Sequence, residues 1–207
     1  MVRTPVENIP PFWSEPWRWA APAWCRGYGT PVGDIDGHAA RLIYSAWGDC
    51  FGLPERWCSP SDPRWLSLVC ASPAVLEGVV SVLGYIALVR AGVPGSLACR
   101  PPIDRWLAVA LKYRDVRCMR SAILAARRDS VDPYVNGVHV LCVMARDSWP
   151  AVESRIAMRA PPPVSSAGEP TPAATVTIDW IDVGRCLSLC GAVVRHPSAQ
   201  TISRAAR

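Results

Sequence analysis

The residues whose type and spacing are best suited to chemistry are Cys186 and Cys190, with His196 six positions further on. Thiolate and imidazole groups are typical zinc ligands, but a tetrahedral zinc ion needs four ligands at compatible spacing. The chain contains no Cys-x2-Cys pair that would complete such a set. We therefore predict no metal site here and interpret the two thiols as small apolar side chains on one face of a helix.

Paired carboxylates at Asp34 and Asp36 are a second candidate for chemistry. An aspartate that accepts a phosphoryl group would follow an apolar strand, whereas these two follow Thr-Pro-Val-Gly at 30–33, which favours a turn and a helix cap. His38 and His139 are isolated in the sequence, and no Walker A or Gly-x-Gly-x-x-Gly motif is present. We predict a protein that is not an enzyme and has no catalytic residues, metal or cofactor.

Positive charge is concentrated between Arg100 and Arg128, a segment that contains eight basic residues and only two acidic ones, both aspartates. On a helix, five of the arginines fall on one arc, opposite Val116, Met119 and Ile123. Three interpretations are open: a docking surface for an acidic protein patch, a solvated helix face, or a contact with nucleic acid. The predicted partner-binding residues, here called the basic stripe, are Arg105, Arg114, Arg117, Arg120, Arg127 and Arg128.

The elements that would carry these residues are helical. Apolar residues recur at i, i+3 and i+4 from His38 onward, and no convincing alternating strand pattern interrupts them. Asp62-Pro63, Ser72-Pro73 and Asp132-Pro133 each place an oxygen side chain before a proline, as at helix starts. We predict an all-α fold, a single compact domain of about seven helices. They are 38–51, 63–70, 73–91, 102–111, 114–128, 133–146 and 150–158.

Proline divides the chain into four parts. Residues 1–34 form an arm with six prolines and four tryptophans. Because proline breaks helices, we predict that the arm is irregular or extended. We also predict that its tryptophan side chains pack the arm on the body. The helical domain is 35–160 and a Pro/Ser-rich linker is 161–177. Residues 178–207 are predicted to form a last amphipathic helix and a tail.

The apolar segment 73–89 carries Glu77 as its only charged residue. A membrane-spanning helix needs about 20 apolar residues, and a charge near its centre costs roughly 2.5–3.5 kcal/mol. We therefore predict a core helix. In it Gly84 lets a neighbouring helix approach closely, and the buried residues are Leu76, Val80, Leu83, Ile86 and Ala87.

The overall composition is typical of a globular protein. Of 207 residues, 50% are hydrophobic and 19% are charged, which excludes a disordered chain, and the net charge of +5 is mild. Nine cysteines, an odd number, lie mostly in apolar contexts such as 69–71 and 141–143, which favours reduced, buried thiols in a cytoplasmic protein. The first residues lack the pattern of a secretory signal.

Several landmarks together resemble one protein family. They are an apolar helix around Leu83-Gly84, a short segment followed by another helix, and closing helices with Trp149 and later Arg and Pro residues. In this order the chain resembles the SctK family, the sorting-platform accessory protein of bacterial type III secretion systems, over about residues 62–161. The segments that carry the resemblance are 76–90, 99–111, 138–141 and 149–161.

The resemblance implies a cytoplasmic adaptor, peripheral to the secretion apparatus at the inner membrane, with no cofactor. Such an adaptor would connect the cytoplasmic domain of the inner-membrane ring protein SctD to the pod protein SctQ and help to position the export ATPase complex. The alternative is a helical nucleic-acid-binding or regulatory protein that uses residues 100–128.

Overall fold

The computed structural model describes residues 11–28, 37–54, 56–90, 132–160 and 183–195. These residues form an all-α structure with eight α-helices and one turn of 3-10 helix, Pro16–Arg18. The predicted helices 102–111 and 114–128 and the predicted linker 161–177 lie outside the described residues. The α-helices are α1 Pro11–Ser14, α2 Pro22–Tyr28, α3 Gly37–Phe51, α4 Arg64–Val69, α5 Pro73–Arg90, α6 Pro133–Ser148, α7 Pro150–Ala157 and α8 Val183–Val194.

Helix α5 lies at the centre of the main hydrophobic core. Every residue from Gly78 to Leu88 is buried, as expected for a helix that is apolar on all sides. The predicted burial of its apolar residues is confirmed, with Leu83 and Ile86 both fully inaccessible to solvent. Within the described parts of the chain, no helix has the length and apolar character needed to cross a membrane.

Helices α5 and α6 run past each other in opposite directions in backbone contact. A Cβ atom added to Gly84 would lie 1.7 Å from the carbonyl oxygen of Pro133, and one added to Gly137 would lie 1.8 Å from that of Val80. The prediction that Gly84 permits a close approach is confirmed. Asn136-Gly137 lies inside α6, as its helical context indicated, rather than in a hairpin turn.

The predicted helix starts differ in how they are capped. The Asp132 side chain accepts a hydrogen bond from the Tyr134 amide at 2.9 Å, with Pro133 in the first turn, as predicted. Asp62 accepts from the Arg64 amide at 2.9 Å, although α4 begins at Arg64 rather than Pro63. The Ser72 hydroxyl is buried and forms no hydrogen bond with the described residues, whereas its carbonyl accepts one from the Leu76 amide.

The prediction of an irregular arm is wrong for the residues described. Helix α1, the 3-10 turn and α2 begin at Pro11, Pro16 and Pro22 respectively. Proline at the first helical position needs no amide partner and has a suitable φ, so here it starts helices instead of breaking them. The predicted packing on the body is confirmed, since Phe12 and Trp13 lie in the main core.

Helix α3 packs through a narrower face than its pattern indicated. Trp47 is buried and joins a second core cluster with Trp17, Leu53 and Met158. Leu42, however, is 61% exposed, and Ala46 is exposed as well. The apolar stripe of α3 is therefore covered along one edge only.

Helix α8 packs against α4 and α5. Cys186 and Cys190 are buried on its inner face, which agrees with their interpretation as small apolar side chains. At the exposed edge of this contact, Arg64 of α4 forms two hydrogen bonds with α8. Its Nη1 donates to the Gly184 carbonyl at 2.8 Å and to the Ser188 hydroxyl at 2.7 Å.

The thiols are less uniformly buried than predicted. Cys142 is buried, as are the two thiols of α8, but Cys50, Cys58 and Cys70 are exposed. Cys70 follows α4 directly and points away from the core despite its apolar neighbours, because a local apolar sequence does not determine which side of a turn faces solvent. No disulfide joins any of the seven cysteines described.

Candidate functional site

The basic stripe cannot be placed, because all of its residues, Arg105, Arg114, Arg117, Arg120, Arg127 and Arg128, lie outside the described ranges. Two other arginines stand out instead. Arg155 of α7 is 2% exposed, and Arg159, just after α7, is 8% exposed. Arginine is almost never fully buried without partners, so two such residues four positions apart mark this region as the candidate site.

Helix α7 and the turn after it position both arginines. The helix begins at Pro150 after Trp149 and packs on α6. Two hydrogen bonds join the turn that follows to the N-terminal arm. The Ala21 amide donates to the Met158 carbonyl at 2.7 Å, and the Trp24 indole donates to the Ala160 carbonyl at 2.7 Å. Both arginines therefore lie between the body and the arm.

Arg155 links α7 to two parts of the chain that are distant from it in sequence, α1 and the stretch from Tyr44 to Pro54. Its guanidinium carbon lies 3.6 Å from the centre of the Trp13 ring, a cation–π contact, and its Nε donates to the Trp13 carbonyl at 3.3 Å. Nη2 donates to the Tyr44 hydroxyl and to the Pro54 carbonyl at 3.2 Å. The Tyr44 hydroxyl in turn donates to the Pro54 carbonyl at 2.7 Å.

The charge of Arg155 is stabilised without any carboxylate from the described residues. Carbonyl oxygens, a phenol and an indole face surround it, including the Ala151 carbonyl at 3.4 Å. Burial lowers the pKa of Arg155, and the adjacent Tyr44 raises it in part. Because every nitrogen of the guanidinium has an acceptor, Arg155 is a satisfied structural cation.

Tryptophans extend this contact into an aromatic cluster. Trp13 stacks on Trp149 with ring centres 6.0 Å apart and planes 13° apart, and Trp57 meets both rings edge-on. The Trp149 indole donates to the Cys58 carbonyl at 2.8 Å, and that of Trp65 donates to the Ser148 hydroxyl at 3.0 Å. Through Trp13, the cluster packs the arm against Trp149, the residue between α6 and α7.

Arg159 is buried in a different way from Arg155. Its Nε has no hydrogen-bond partner, and no ion pair to it is formed within the part of the chain described. Its guanidinium carbon lies 5.9 Å from the centre of the Trp19 ring, whose indole nitrogen is also buried without an acceptor. Two adjacent groups thus present hydrogen-bond donors that the described residues do not use.

The cavity beside Arg159 is too small for an organic ligand. It measures about 10 Å³ and is lined by apolar side chains, Phe12, Trp65 and Leu76 among them. A cavity of this size holds at most one water molecule. The nitrogen atoms Nε of Arg159 and Nε1 of Trp19 are themselves inaccessible to solvent.

The arrangement is suited to recognition of an acceptor group. A guanidinium and an indole N–H donate hydrogen bonds and have no acceptor atom, so neither acts as a general base. No cluster of three or more potential metal ligands occurs within the described ranges.

The sequence analysis did not single out Arg155 or Arg159. The sequence offered one signal for their burial. The two arginines are four residues apart, which places them on one side of a helical segment, beside the apolar residues Val152 and Ile156. Arginines in an amphipathic helix are ordinarily exposed, and nothing local distinguishes these two.

No protein family, curated protein or solved structure matches this chain.

Proposed function

We propose that the protein is a helical adaptor of a bacterial type III secretion sorting platform, which links the cytoplasmic domain of SctD to SctQ. In this role it would work in the cytoplasm at the inner membrane, without enzymatic activity or cofactor. What supports the proposal most directly is that two segments carrying the resemblance, 76–90 and 149–160, pack with α6 in one core.

The packing of the arm also supports an adaptor. A protein that holds two partners at a defined separation benefits from a rigid body, because less conformational entropy is lost when the partners bind. Arg155 and the stacked Trp13 and Trp149 rings join the arm to α7 and α6 over long sequence distances. In an adaptor built this way, the arm would belong to the same body as the helices that it covers.

We propose that the basic stripe is the surface that contacts an acidic patch of a partner. Arginine suits such a surface because its planar guanidinium binds a carboxylate through two hydrogen bonds and is less strongly hydrated than an ammonium group.

The test is reconstitution with the two partners of the same organism. We expect the purified full chain, the cytoplasmic domain of SctD and SctQ to elute together from a size-exclusion column, and each partner to bind separately in calorimetry. Failure to bind either partner, with the chain folded by circular dichroism, would contradict the proposal. A mixture of SctD and SctQ without the chain is the control for direct association.

Nucleic-acid binding is the alternative favoured by the charge between residues 100 and 128. It predicts binding of a labelled duplex that weakens steeply with salt, with a slope in log–log form of about −0.9 for each phosphate contacted. Such binding, in the absence of binding to SctD and SctQ, would replace the adaptor proposal.

A further inference from the structure

We propose that the outer face of α3 is a self-association surface, on which a second copy of this chain docks its own α3 in antiparallel orientation about a two-fold axis. The face consists of five exposed residues, Arg41, Leu42, Ser45, Ala46 and Asp49. This inference goes beyond the proposed function, because it concerns this chain alone and does not require binding to SctD or SctQ.

The middle of the face is apolar and its side chains are small. Leu42 is the only large hydrophobic side chain that is exposed in the part of the chain described. Ala46 lies one turn further along the same side of α3, with Ser45 beside it. A second helix packed here would remove the Leu42 side chain from water, and the small residues would let its backbone approach closely.

The two ends of the face carry opposite charges that are not paired within the helix. Arg41 and Asp49 are eight residues apart, about 12 Å along the helix axis, which is too far for an ion pair between them. Neither of them forms an ion pair with another described residue. Both charges are therefore available to a second molecule.

The order of these charges makes the face complementary to itself. Ser45 lies midway between Arg41 and Asp49, so reversing the row about Ser45 exchanges the two charges. When two α3 helices meet in antiparallel orientation, each Arg41 lies opposite Asp49 of the second copy, and Leu42 lies within one turn of the second copy's Ala46. An isologous contact requires this kind of self-complementarity, and for this reason we assign the face to a second copy of the chain.

The size of the face sets the expected affinity. Helix α3 has 15 residues and is about 22 Å long. Contact between two such faces buries less than the roughly 1,200 Å² of a standard interface, so the dimer is weak and reversible. We expect a dissociation constant on the order of 100 μM.

Sedimentation velocity of the full chain, from about 10 μM to about 1 mM, tests for this dimer. We expect the average sedimentation coefficient to rise with concentration towards that of a dimer. Leu42→Glu places a charge in the apolar centre and should weaken association at least about tenfold, while circular dichroism shows an unchanged fold. Ser67→Glu, an exposed change on α4, is the control and should leave association unchanged.

Charge exchange tests the antiparallel orientation. Arg41→Glu and Asp49→Arg each place like charges opposite each other, so each variant alone should associate about tenfold more weakly than the wild type. In a mixture of the two variants, opposite charges meet again in both pairs, and association should return to about the wild-type strength. Arg56→Glu and Glu77→Arg, which change exposed charges outside the face, should associate like the wild type both alone and mixed.

Three results would overturn the proposal. A chain that stays monomeric up to about 1 mM would show that another segment or another protein covers the face, or that nothing does. A dimer that Leu42→Glu does not weaken would place the contact elsewhere on the molecule. A mixture of Arg41→Glu and Asp49→Arg that associates no better than either variant alone would exclude the antiparallel pairing.

Discussion

Gly84 of α5 and Gly137 of α6 meet with no side chain between them. A methyl group on Gly84 would lie 2.6 Å from the amide nitrogen of Gly137, closer than any real van der Waals contact allows. The two backbones, rather than interlocking side chains, set the distance between the central helix and its main neighbour. Both positions therefore require glycine for reasons of space.

Gly84→Ala should destabilise the protein strongly. The added methyl group overlaps the Pro133 carbonyl, and backbone atoms move only if the helices separate, so we expect a loss of about 3 kcal/mol or more in the free energy of unfolding. Gly48→Ala in α3 is the control: its new methyl group would make only an ordinary contact, 3.9 Å from the Leu53 carbonyl. That variant should gain up to about 1 kcal/mol from helix propensity. Urea melts measure both.

Leu83→Ala should cost about 2–5 kcal/mol, because a fully buried side chain is truncated at the centre of the core. Leu42→Ala makes the same chemical change at a residue that is 61% exposed and should cost less than about 0.5 kcal/mol. The comparison is read from denaturant melts of both variants. Equal losses would show that α5 is not the centre of the core.

Tyr44→Phe should destabilise the protein by about 1–3 kcal/mol. The lost hydroxyl accepts a hydrogen bond from buried Arg155 and donates one to the Pro54 carbonyl. Without it, Nη2 of Arg155 and the Pro54 carbonyl keep only their longer hydrogen bond to each other, at 3.2 Å. Tyr134→Phe is the control, since its hydroxyl forms no hydrogen bond with the described residues, and it should change stability by less than about 0.5 kcal/mol. Thermal melts that show no difference between the two variants would contradict the role given to Arg155.

Acid should remove the contribution of Asp62. The side-chain hydrogen bond from Arg64 lowers the pKa of Asp62 below its ordinary value of 3.8. A lowered pKa means that the carboxylate stabilises the folded state above that value and that this stabilisation disappears as the pH falls through the lowered pKa. The pair is exposed to solvent, so the contribution is less than about 1 kcal/mol.

Urea melts of Asp62→Asn at about pH 7 and about pH 2 test this dependence. We expect the variant to be less stable than the wild type at the higher pH and equal to it at the lower. Asp49→Asn, an exposed change on α3, serves as the control and should match the wild type at both values. A difference that persists in acid would show that the carboxylate charge is not its source.

Charge reversal of the basic stripe should affect binding and not folding. We expect Arg114→Glu, Arg117→Glu and Arg120→Glu together to change stability by less than about 1 kcal/mol, since exposed ion pairs contribute little. Association with SctD or SctQ should slow and lose salt dependence, because complementary charge governs encounter.

Stopped-flow association rates and thermal melts measure the two effects of this charge reversal. A triple reversal at exposed arginines elsewhere, Arg41, Arg56 and Arg185, is the control with the same change in net charge. If both triple variants bind like the wild type, the stripe is a solvated helix face.

Much of the helical architecture follows from local sequence. Asp132 before Pro133 predicted the start of α6, because a side-chain cap and a proline act within one turn of the helix. The apolar run around Leu83 and Gly84 predicted a buried helix with a close neighbour, because a helix that is apolar on every side has no favourable position at the surface. These features depend on residues that are neighbours in the chain.

Only the tertiary structure decided whether each described proline of the arm begins a helix or ends one. It also decided how much of the apolar face of α3 is buried. Leu42 fits the helical period of α3 as well as Trp47 does, yet Trp47 is buried in the second core cluster and Leu42 is largely exposed.

The same holds for the candidate site. The acceptors of Arg155 come from Trp13, Tyr44 and Pro54, each more than 100 residues away in the chain. A buried cation is stable only where acceptor atoms surround it, and here distant segments supply them. The periodicity of apolar residues along the sequence does not show which distant segments come into contact. The spacing of Arg155 and Arg159 is visible in the sequence, but their different hydrogen bonding is not. In the folded chain every guanidinium nitrogen of Arg155 has an acceptor, while Nε of Arg159 has none among the described residues.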